Sequence, residues 1–262
     1  MRIGEIEIGQ DYPCRIVAEL GTLHHHQGIE GLLSATKDCF NAGADLVKVQ
    51  LIDPKTAWWA SAKQLARYKR LYESFPRKEW NNFLVEANKV GPTFASVFDA
   101  ETVHEIYDFV PAYKIAYVLN QKPKIISAIL GKQKPVIWST NDITITPTIH
   151  IDGGLDVYDA DSSSWNIKTL FVQPIYPTPV EKQVVPCMRR YGGFYDGLSY
   201  HGSKLSMLCA AIVSGAELLE VHVQSYDADG VDTKFALTMD ELKNLVDLRG
   251  EYLSSSLSLK LV

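Results

Sequence analysis

Two histidines stand at the ends of two short apolar runs, a spacing that lets them bind one ion. His201 follows the run GLSY, and His222 follows the run LLEV. The segment between them, residues 203–215, is apolar and helix-like. In a strand–helix–strand unit both strands end at the same edge of a parallel sheet, where barrel enzymes have their active sites. Because neutral imidazole commonly binds divalent metals, we predict that this pair holds a metal ion, the alternative being two structural histidines.

Two lysines lie inside apolar strands, where an unpaired charge is costly. Lys48 is flanked by two valines, and Lys114 by a tyrosine and an isoleucine. A buried ammonium group needs an anion beside it. One interpretation is a salt bridge within the barrel, with Glu19 as one partner. The interpretation that we favour is a bound phosphate or carboxylate, because serine hydroxyls lie at the same strand ends, at Ser96, Ser139 and Ser199.

Further polar side chains lie near or beyond the ends of the predicted strands. Glu19 and Gln50 are near the ends of the first two strands, and Tyr176 and Asp232 follow the sixth and eighth. Each has a plainer interpretation: an ion pair for Glu19, and a stiff scaffold turn for the YPTP string that contains Tyr176. The triplet at residues 24–26 is interpreted as a polar loop, because three consecutive histidines cannot all face one ion.

The elements that position these residues alternate along the chain. Eight apolar runs read as strands, at residues 16–20, 45–51, 93–98, 112–117, 135–139, 169–173, 195–200 and 217–223. Helical spacing predicts helices at residues 28–42, 63–73, 78–89, 100–109, 123–130, 203–215 and 238–252, with a weak helix at 180–190. Repeated strand–helix alternation implies a parallel sheet, and eight units favour a closed (β/α)8 TIM barrel.

Two segments depart from this alternation. Residues 1–14 read as a hairpin that caps the bottom of the barrel. Residues 141–164 are rich in Thr, Asp, Gly and Ser with alternating apolar positions, so we expect an irregular or β-rich insert in place of the helix after strand 5. No linker or shift in composition divides residues 1–262, which are predicted to form a single domain.

Composition excludes several classes of protein. A net charge of −5 without a basic run argues against nucleic acid as a partner. The apolar stretches fall short of the roughly 20 residues that span a bilayer, and the N-terminus lacks the apolar core of a signal peptide. The four cysteines match no zinc or redox spacing. We therefore expect reduced thiols and a cytoplasmic protein that acts on small molecules.

In order and spacing, the segments that carry these residues resemble the sialic acid synthases and their relatives. Those enzymes make nonulosonic acids from phosphoenolpyruvate and an N-acylated amino sugar. The resemblance covers most of the chain and rests on AELG (18–21), AGADLVKVQ (42–50), FD (98–99), YKI (113–115), KPVIWST (134–140), YPTP (176–179), GLSYH (197–201), EVH (220–222) and GVD (230–232).

The resemblance implies a manganese-dependent barrel, with Mg²⁺ or Co²⁺ as alternative ions. His201 and His222 resemble the two protein ligands of that metal. The groups that resemble the phosphoenolpyruvate site are Lys48, Lys114, Ser139 and Ser199. The groups that resemble the side facing the acceptor sugar are Glu19, Gln50, Tyr176 and Asp232. The implied reaction joins phosphoenolpyruvate to an amino sugar or another aldose-like aldehyde and gives a sialic-like acid.

Departures from the family pattern fall at the sugar end of the site. After YKI the family has a serine and then a glutamate, whereas this chain has Ala116-Tyr117-Val118-Leu119. The family's antifreeze-like domain, which supplies an arginine to a partner subunit, has no counterpart within residues 1–262. We therefore expect an acceptor other than N-acetylmannosamine, and any homo-oligomer to form without the family's domain swap. A related aldol-type lyase, or a barrel that binds without catalysis, are the alternative functions.

Overall fold

A computed structural model describes residues 1–141, 148–151, 154–157 and 166–259 of the chain. Its strands are β1 (Arg2–Ile3), β2 (Ile6–Glu7), β3 (Arg15–Gly21), β4 (Leu46–Leu51), β5 (Thr93–Val97), β6 (Tyr113–Ile115), β7 (Val136–Thr140), β8 (Thr148–Ile151), β9 (Gly154–Val157), β10 (Ile167–Val172), β11 (Gly197–Tyr200), β12 (Leu218–Gln224) and β13 (Leu237–Thr238). Its helices are α1 (Gly28–Asn41), α2 (Ala62–Ser74), α3 (Trp80–Val90), α4 (Ala100–Glu105), α5 (Pro123–Leu130), α6 (Leu205–Val213) and α7 (Met239–Leu259).

Eight of the strands form a closed parallel barrel, in the order β3, β4, β5, β6, β7, β10, β11 and β12. The barrel closes because β12 pairs in parallel with both β11 and β3. The predicted TIM barrel is therefore confirmed. No helix within the described parts of the chain is long and apolar enough to cross a bilayer.

The outer layer differs from a complete ring of helices at two positions. The weak helix predicted at residues 180–190 is wrong: two short 3-10 turns, Val180–Lys182 and Arg189–Tyr191, occupy that connection. Pro186 lies between them, and a proline has no N–H group to donate within a helix. After β7, the predicted β insert contains the antiparallel pair of β8 and β9, whereas residues 142–147, 152–153 and 158–165 lie outside the described residues.

An antiparallel hairpin closes the bottom of the barrel, as the sequence predicts. β1 pairs with β2, and the side chains of Ile3 and Ile8 are completely buried. These two isoleucines belong to one apolar cluster with a residue from each of six barrel strands and with Ala112, which directly precedes β6. The six strand residues are Val17, Leu46, Phe94, Ile137, Leu170 and Leu218. The amino-terminal end of the barrel is thus filled by side chains.

Interior side chains of the barrel form layers, because every second residue of a strand faces the same side. The middle layer lies two residues further along each strand than the apolar bottom layer, and it is buried. It consists of Glu19, Lys48, Ser96, Lys114, Ser139, Val172, Ser199 and Glu220. The top layer lies another two residues along each strand and consists of Gly21, Gln50, Phe98, Ala116, Asn141, Pro174, His201 and His222. Barrel interiors are usually filled by branched apolar residues. A middle layer of charges and hydroxyls therefore marks the carboxyl end of this barrel as the functional end.

Candidate active site

A buried cluster of two lysines and two glutamates occupies the middle layer. Lys48 Nζ forms ion pairs with the carboxylate of Glu19 and with Glu220 Oε2, the latter at 3.2 Å. Lys114 Nζ lies 3.6 Å from Glu220 Oε1, which also accepts a hydrogen bond of 2.8 Å from Ser199 Oγ. Glu220 therefore connects both lysines and a serine, and the four charges sum to zero.

Serine hydroxyls complete this cluster. Lys48 Nζ donates to Ser96 Oγ at 3.3 Å, and Lys114 Nζ donates to Ser139 Oγ. The four residues predicted to bind an anion, Lys48, Lys114, Ser139 and Ser199, are thus brought together as expected. The alternative interpretation is also present, since Glu19 pairs with Lys48. In this structure both lysines are held by carboxylates, and an incoming anion would share or replace those contacts.

Burial and mutual attraction set the charge states of the cluster. Burial lowers the pKa of Lys48 to about 8, against the opposing effect of Glu220, and it also lowers the pKa of Lys114. Burial disfavours the ionised form of Glu220, but Lys114 and Lys48 outweigh it and hold the pKa of that carboxyl below its ordinary range. Buried ammonium groups attract an anion more strongly than exposed ones, because the surrounding protein has a lower dielectric constant than water.

Sequence reasoning missed Glu220. It lies in the LLEVH run, where the argument rested on the histidine alone. The alternation of side chains along a strand identifies it. Glu220 is two residues before His222, so both side chains face the barrel interior, as those of the two lysines do. Burying an acidic side chain inside an apolar strand costs free energy, as burying a lysine does. Ion pairs between Glu220 and the two lysines offset these costs.

The two predicted metal ligands lie together in the top layer. The ring centroids of His201 and His222 are 5.4 Å apart, at an interplanar angle of 57°. His201 Nδ1 is 2.9 Å from the carbonyl oxygen of Gln173, so Nδ1 carries the proton and Nε2 has a free lone pair. Nδ1 of His222 is buried without a hydrogen-bond partner and lies 3.8 Å from Asp232 Oδ2.

The donor set fits a metal ion that is completed by water or substrate. Burial lowers the pKa of His201 to about 4 and that of His222 well below its ordinary value, so both imidazoles are neutral and have lone pairs to donate. A carbonyl that fixes the second ring nitrogen is the usual arrangement behind a metal-binding histidine. Within the described ranges no group of three or more His, Cys, Asp or Glu side chains is placed to bind a metal alone.

Three of the four residues predicted to face the acceptor lie around one glycine, and the fourth, Tyr176, lies over His201. Gly21 has a φ of +55°, and the position that its Cβ would occupy is 3.5 Å from Asp232 Oδ2, 3.6 Å from Glu19 Oε1 and 3.9 Å from Gln50 Nε2. This left-handed conformation favours glycine. Tyr176 lies over the His201 ring, with centroids 3.9 Å apart, and 53% of its surface is exposed.

A cleft of about 1180 Å³ lies above these residues at the carboxyl end of the barrel. Its inner surface is formed by Gln50, Tyr176, His222 and Asp232, whereas its outer wall comes from α2 and from the segments after β4 and β6. The lysine cluster lies one layer below this surface. Burial raises the pKa of Asp232, with Arg67 opposing, so this carboxyl at the cleft can hold a proton closer to neutral pH.

The histidine triplet at residues 24–26 is more buried than a polar loop, as which the sequence was interpreted, would ordinarily be. His24 and His25 are buried. His24 Nε2 accepts a hydrogen bond from the Ser225 backbone at 3.3 Å, and the His25 ring packs edge-on against Phe75 with centroids 4.9 Å apart. Both partners are distant in sequence, which is why local spacing gave no sign of this burial.

Buried His25 is expected to make the protein sensitive to acid. Burial lowers its pKa to about 3, with Arg67 and His24 adding to the effect. Between pH 6.5 and 3 the unfolded chain binds a proton that the folded chain does not, so stability decreases as the pH falls. Urea unfolding at pH 4 and pH 7 should show that His25→Gln loses less stability than the parent protein on acidification, by a few kcal/mol.

An exposed histidine provides the control for this experiment. His104 lies on the surface of α4, so His104→Gln should leave the pH dependence of the parent protein unchanged. Parallel stability curves for His25→Gln and the parent protein would contradict the assignment of the acid sensitivity to His25.

Comparisons with known proteins show which family the chain resembles. The family model described as NeuB family matches residues 35–254. The chain is 28% identical to the pseudaminic acid synthase of Campylobacter jejuni subsp. jejuni serotype O:2, with 94% of this chain and 75% of that protein covered. It is 26% identical to the spore coat polysaccharide biosynthesis protein SpsE of Bacillus subtilis, with 94% and 69% covered.

The fold also matches that of a solved relative. The N-acetylneuraminic acid synthetase of Leptospira borgpetersenii serovar Hardjo-bovis superimposes with a TM-score of 0.78 at 20% identity, over 96% of this chain and 87% of that one. The family match spans β4 to β12, hence seven of the eight barrel strands, and includes both histidines and both lysines. This chain therefore belongs to the NeuB family of synthases.

Proposed function

We propose that this protein is a phosphoenolpyruvate-dependent, metal-assisted synthase that joins phosphoenolpyruvate to an aldose-like aldehyde and forms a sialic-like sugar acid. The observation that carries the proposal is the stacking of two layers: a buried lysine–serine layer directly beneath a pair of neutral histidines. One layer suits a small dianion, and the other suits the metal that would activate its reaction partner. The names of the relatives, a pseudaminic acid synthase and a sialic acid synthetase, support the same class of product.

Phosphoenolpyruvate carries a carboxylate and a phosphate, and the middle layer offers cations for both. Lys48 and Lys114 would bind these groups, with Ser139 and Ser199 donating hydrogen bonds to them. Because the lysines are buried, their interaction with an anion is weakly screened. Glu220 would keep both ammonium groups charged and directed into the barrel before the substrate arrives.

His201 and His222 would hold a divalent ion, with Mn²⁺ the predicted ion and Mg²⁺ or Co²⁺ the alternatives. A bound metal supplies Lewis-acid polarisation of the acceptor carbonyl. The hydrogen bond to the carbonyl of Gln173 would keep the His201 ring in one tautomer.

The covalent steps balance with water as the third reactant. The methylene carbon of phosphoenolpyruvate attacks the aldehyde carbon, water adds at the carbon that bears the phosphate, and inorganic phosphate leaves. Asp232, which lines the cleft 3.8 Å from His222 Nδ1, would supply the proton that turns the aldehyde oxygen into a hydroxyl. Glu19, Gln50 and Tyr176 would orient the acceptor around Gly21. Holding two substrates in one geometry supplies much of the rate of such a reaction.

A phosphate-release assay tests this proposal. The protein would be incubated with phosphoenolpyruvate, Mn²⁺ and a panel of N-acylated amino sugars and pentoses. We expect phosphate release that depends on one acceptor, with a product whose mass equals both substrates plus water minus phosphoric acid. Lys114→Gln should abolish the release, whereas Lys124→Gln, which removes an exposed lysine of α5, should not. Acceptor-independent release, or none with any aldose, would argue against the synthase.

The alternatives are separable in the same experiments. An aldol-type lyase would release pyruvate from a sugar acid and would not consume phosphoenolpyruvate. A barrel that only binds ligands would give no product, and we expect such a protein to contain no bound metal after purification. The predicted cellular compartment remains the cytoplasm, and the predicted partners remain small molecules.

A further inference from the structure

An arginine of α2 joins two loops beside the cleft. Arg67 Nη1 donates to Thr22 Oγ1 at 2.8 Å, in the segment that follows β3. Arg67 Nη2 donates to the backbone oxygen of Thr22 at 3.5 Å and to that of Asp229, in the segment that follows β12. Hydrogen bonds from a charged donor are stronger than those between neutral groups. The planar guanidinium group presents several donors in a fixed geometry, so one side chain holds both loops together.

The glycine that follows Asp229 packs directly against this guanidinium group. The position that a Cβ of Gly230 would occupy is 2.5 Å from Arg67 Nη2 and 2.9 Å from Leu23 Cδ2. Side chains do not approach each other so closely, so even an alanine at position 230 would displace the guanidinium group or the loop. The contact can therefore be disrupted from either side, by a substitution in α2 or by one in the loop.

Asp232 lies three residues after the point where Arg67 binds the loop. It belongs to the short 3-10 turn Val231–Lys234, and its backbone oxygen accepts hydrogen bonds from Phe235 and Ala236 at 3.1 and 2.9 Å. The chain then enters β13, which pairs in parallel with β12. After Asp232 the backbone is thus attached to the barrel, whereas before Asp232 it is held by contacts with neighbouring loops.

The contacts before Asp232 differ in length. Backbone groups of Ser225, Asp227 and Asp229 form hydrogen bonds with the segment after β3. The first two bonds are long, at 3.3 and 3.4 Å. The N–H of Asp229 donates to that segment at 2.9 Å, and its backbone oxygen accepts from Arg67. The contacts of Asp229 therefore fix the path of the chain just before Asp232.

This path decides where the carboxylate of Asp232 lies in the site. Asp232 Oδ2 is 3.8 Å from His222 Nδ1 and 3.5 Å from the position that a Cβ of Gly21 would occupy. In the proposed reaction this carboxyl group supplies a proton to the aldehyde oxygen. Misplacement of a reacting group by about 1 Å can cost about 100-fold in rate, so a loosened loop would slow the reaction.

We propose that Arg67 is a positioning residue of the active site: by binding Thr22 and Asp229 together, its guanidinium group holds the carboxylate of Asp232 in the cleft beside His222. This inference rests on the proposed synthase function. It implies that Arg67 affects the rate of the reaction and leaves the binding of phosphoenolpyruvate unchanged, because the lysine layer belongs to other strands.

Amide hydrogen exchange, followed by mass spectrometry of peptides, tests the structural part of the proposal without any substrate. In Arg67→Gln and in Gly230→Ala, residues 225–231 should exchange about tenfold faster than in the parent protein, since an opened contact raises the population of the exposed loop. Exchange of β12 should stay unchanged. The control is Arg190→Gln, because Arg190 also bonds a distant backbone oxygen, that of Gln10 at 3.1 Å, but does not line the cleft.

Phosphate release from phosphoenolpyruvate tests the positioning itself. Arg67→Gln and Gly230→Ala should each lower kcat by about 10- to 100-fold and leave the KM for phosphoenolpyruvate unchanged. Arg67→Lys should restore part of kcat, because an ammonium group can still bond one of the two loops. In an Asp232→Asn background, Arg67→Gln should cause no further loss, since the carboxylate that it positions is already gone. Arg190→Gln should retain the parent kcat.

Two results would overturn the proposal. One is unchanged exchange of residues 225–231 in both Arg67→Gln and Gly230→Ala. The other is an equal loss of kcat on Arg67→Gln with and without the carboxylate of Asp232. Faster exchange of the loop in a protein that shows no synthase activity with any acceptor would support the attachment of the loop by Arg67 and count against the proposed function.

Discussion

Replacing Glu220 by glutamine is expected to destabilise the protein by about 3–5 kcal/mol, the typical cost of removing one partner from a buried ion pair. The substitution keeps the size of the side chain but leaves Lys48 and Lys114 without their shared anion. Burial then lowers the pKa of both lysines further. Urea unfolding at pH 7 should report this loss. The deficit should shrink at pH 10, because deprotonated lysines no longer need the carboxylate.

A surface ion pair provides the matched control. Lys243 and Asp247 are 3.3 Å apart on α7, with 63% and 58% of their side chains exposed. Asp247→Asn should cost no more than about 1 kcal/mol, as for other exposed pairs. If Glu220→Gln does not fold, adding Lys48→Met removes one cation together with the anion and should restore part of the stability. Equal costs for Glu220→Gln and Asp247→Asn would contradict the role of Glu220.

Loss of both histidines is expected to remove metal binding and with it most of the activity. In the His201→Ala, His222→Ala double variant, phosphate release should fall by about 10³-fold, equivalent to the several kcal/mol that Lewis-acid catalysis supplies. Mn²⁺ should raise the melting temperature of the parent protein, because a ligand that binds only the folded state stabilises it. It should not raise that of the double variant.

The control for this pair is again the surface histidine of α4. His104→Ala removes an imidazole outside the site and should leave both the Mn²⁺ effect and the activity unchanged. Isothermal titration that shows Mn²⁺ binding equally to the parent protein and to the double variant would overturn the metal assignment.

The barrel and much of its site were predictable because they depend on local patterns. Lys48 and Lys114 are identifiable as charges between apolar neighbours, and the histidines as residues at strand ends. Burying a charged or polar side chain among apolar residues costs free energy, which only a specific partner in the folded protein offsets. The roles assigned to these residues, in contrast, stay predictions that the experiments above address.

The errors have two causes, a local signal that was overlooked and long-range packing that no local pattern shows. Residues 180–190 have apolar spacing for a helix, but Pro186 interrupts the hydrogen bonds that a helix needs. The burial of His25 depends on Phe75, which is fifty residues away in the chain. Glu220 was missed because its partners Lys48 and Lys114 come from other strands, and only the closed barrel brings them within contact.

The packing of Ile3 and Ile8 into the amino-terminal end of the barrel has a consequence for how ligands bind and leave. With the amino-terminal end filled, ligands would enter from the carboxyl end, where the described residues form the cleft beside α2. A molecule held by Lys48 and Lys114 lies one layer deeper than a molecule held in the cleft. If the proposed function holds, the ligand of the lysine layer would therefore bind first, and the product would leave before the next such ligand enters. The filled amino-terminal end of the barrel would thus impose a fixed order of binding and release on the site.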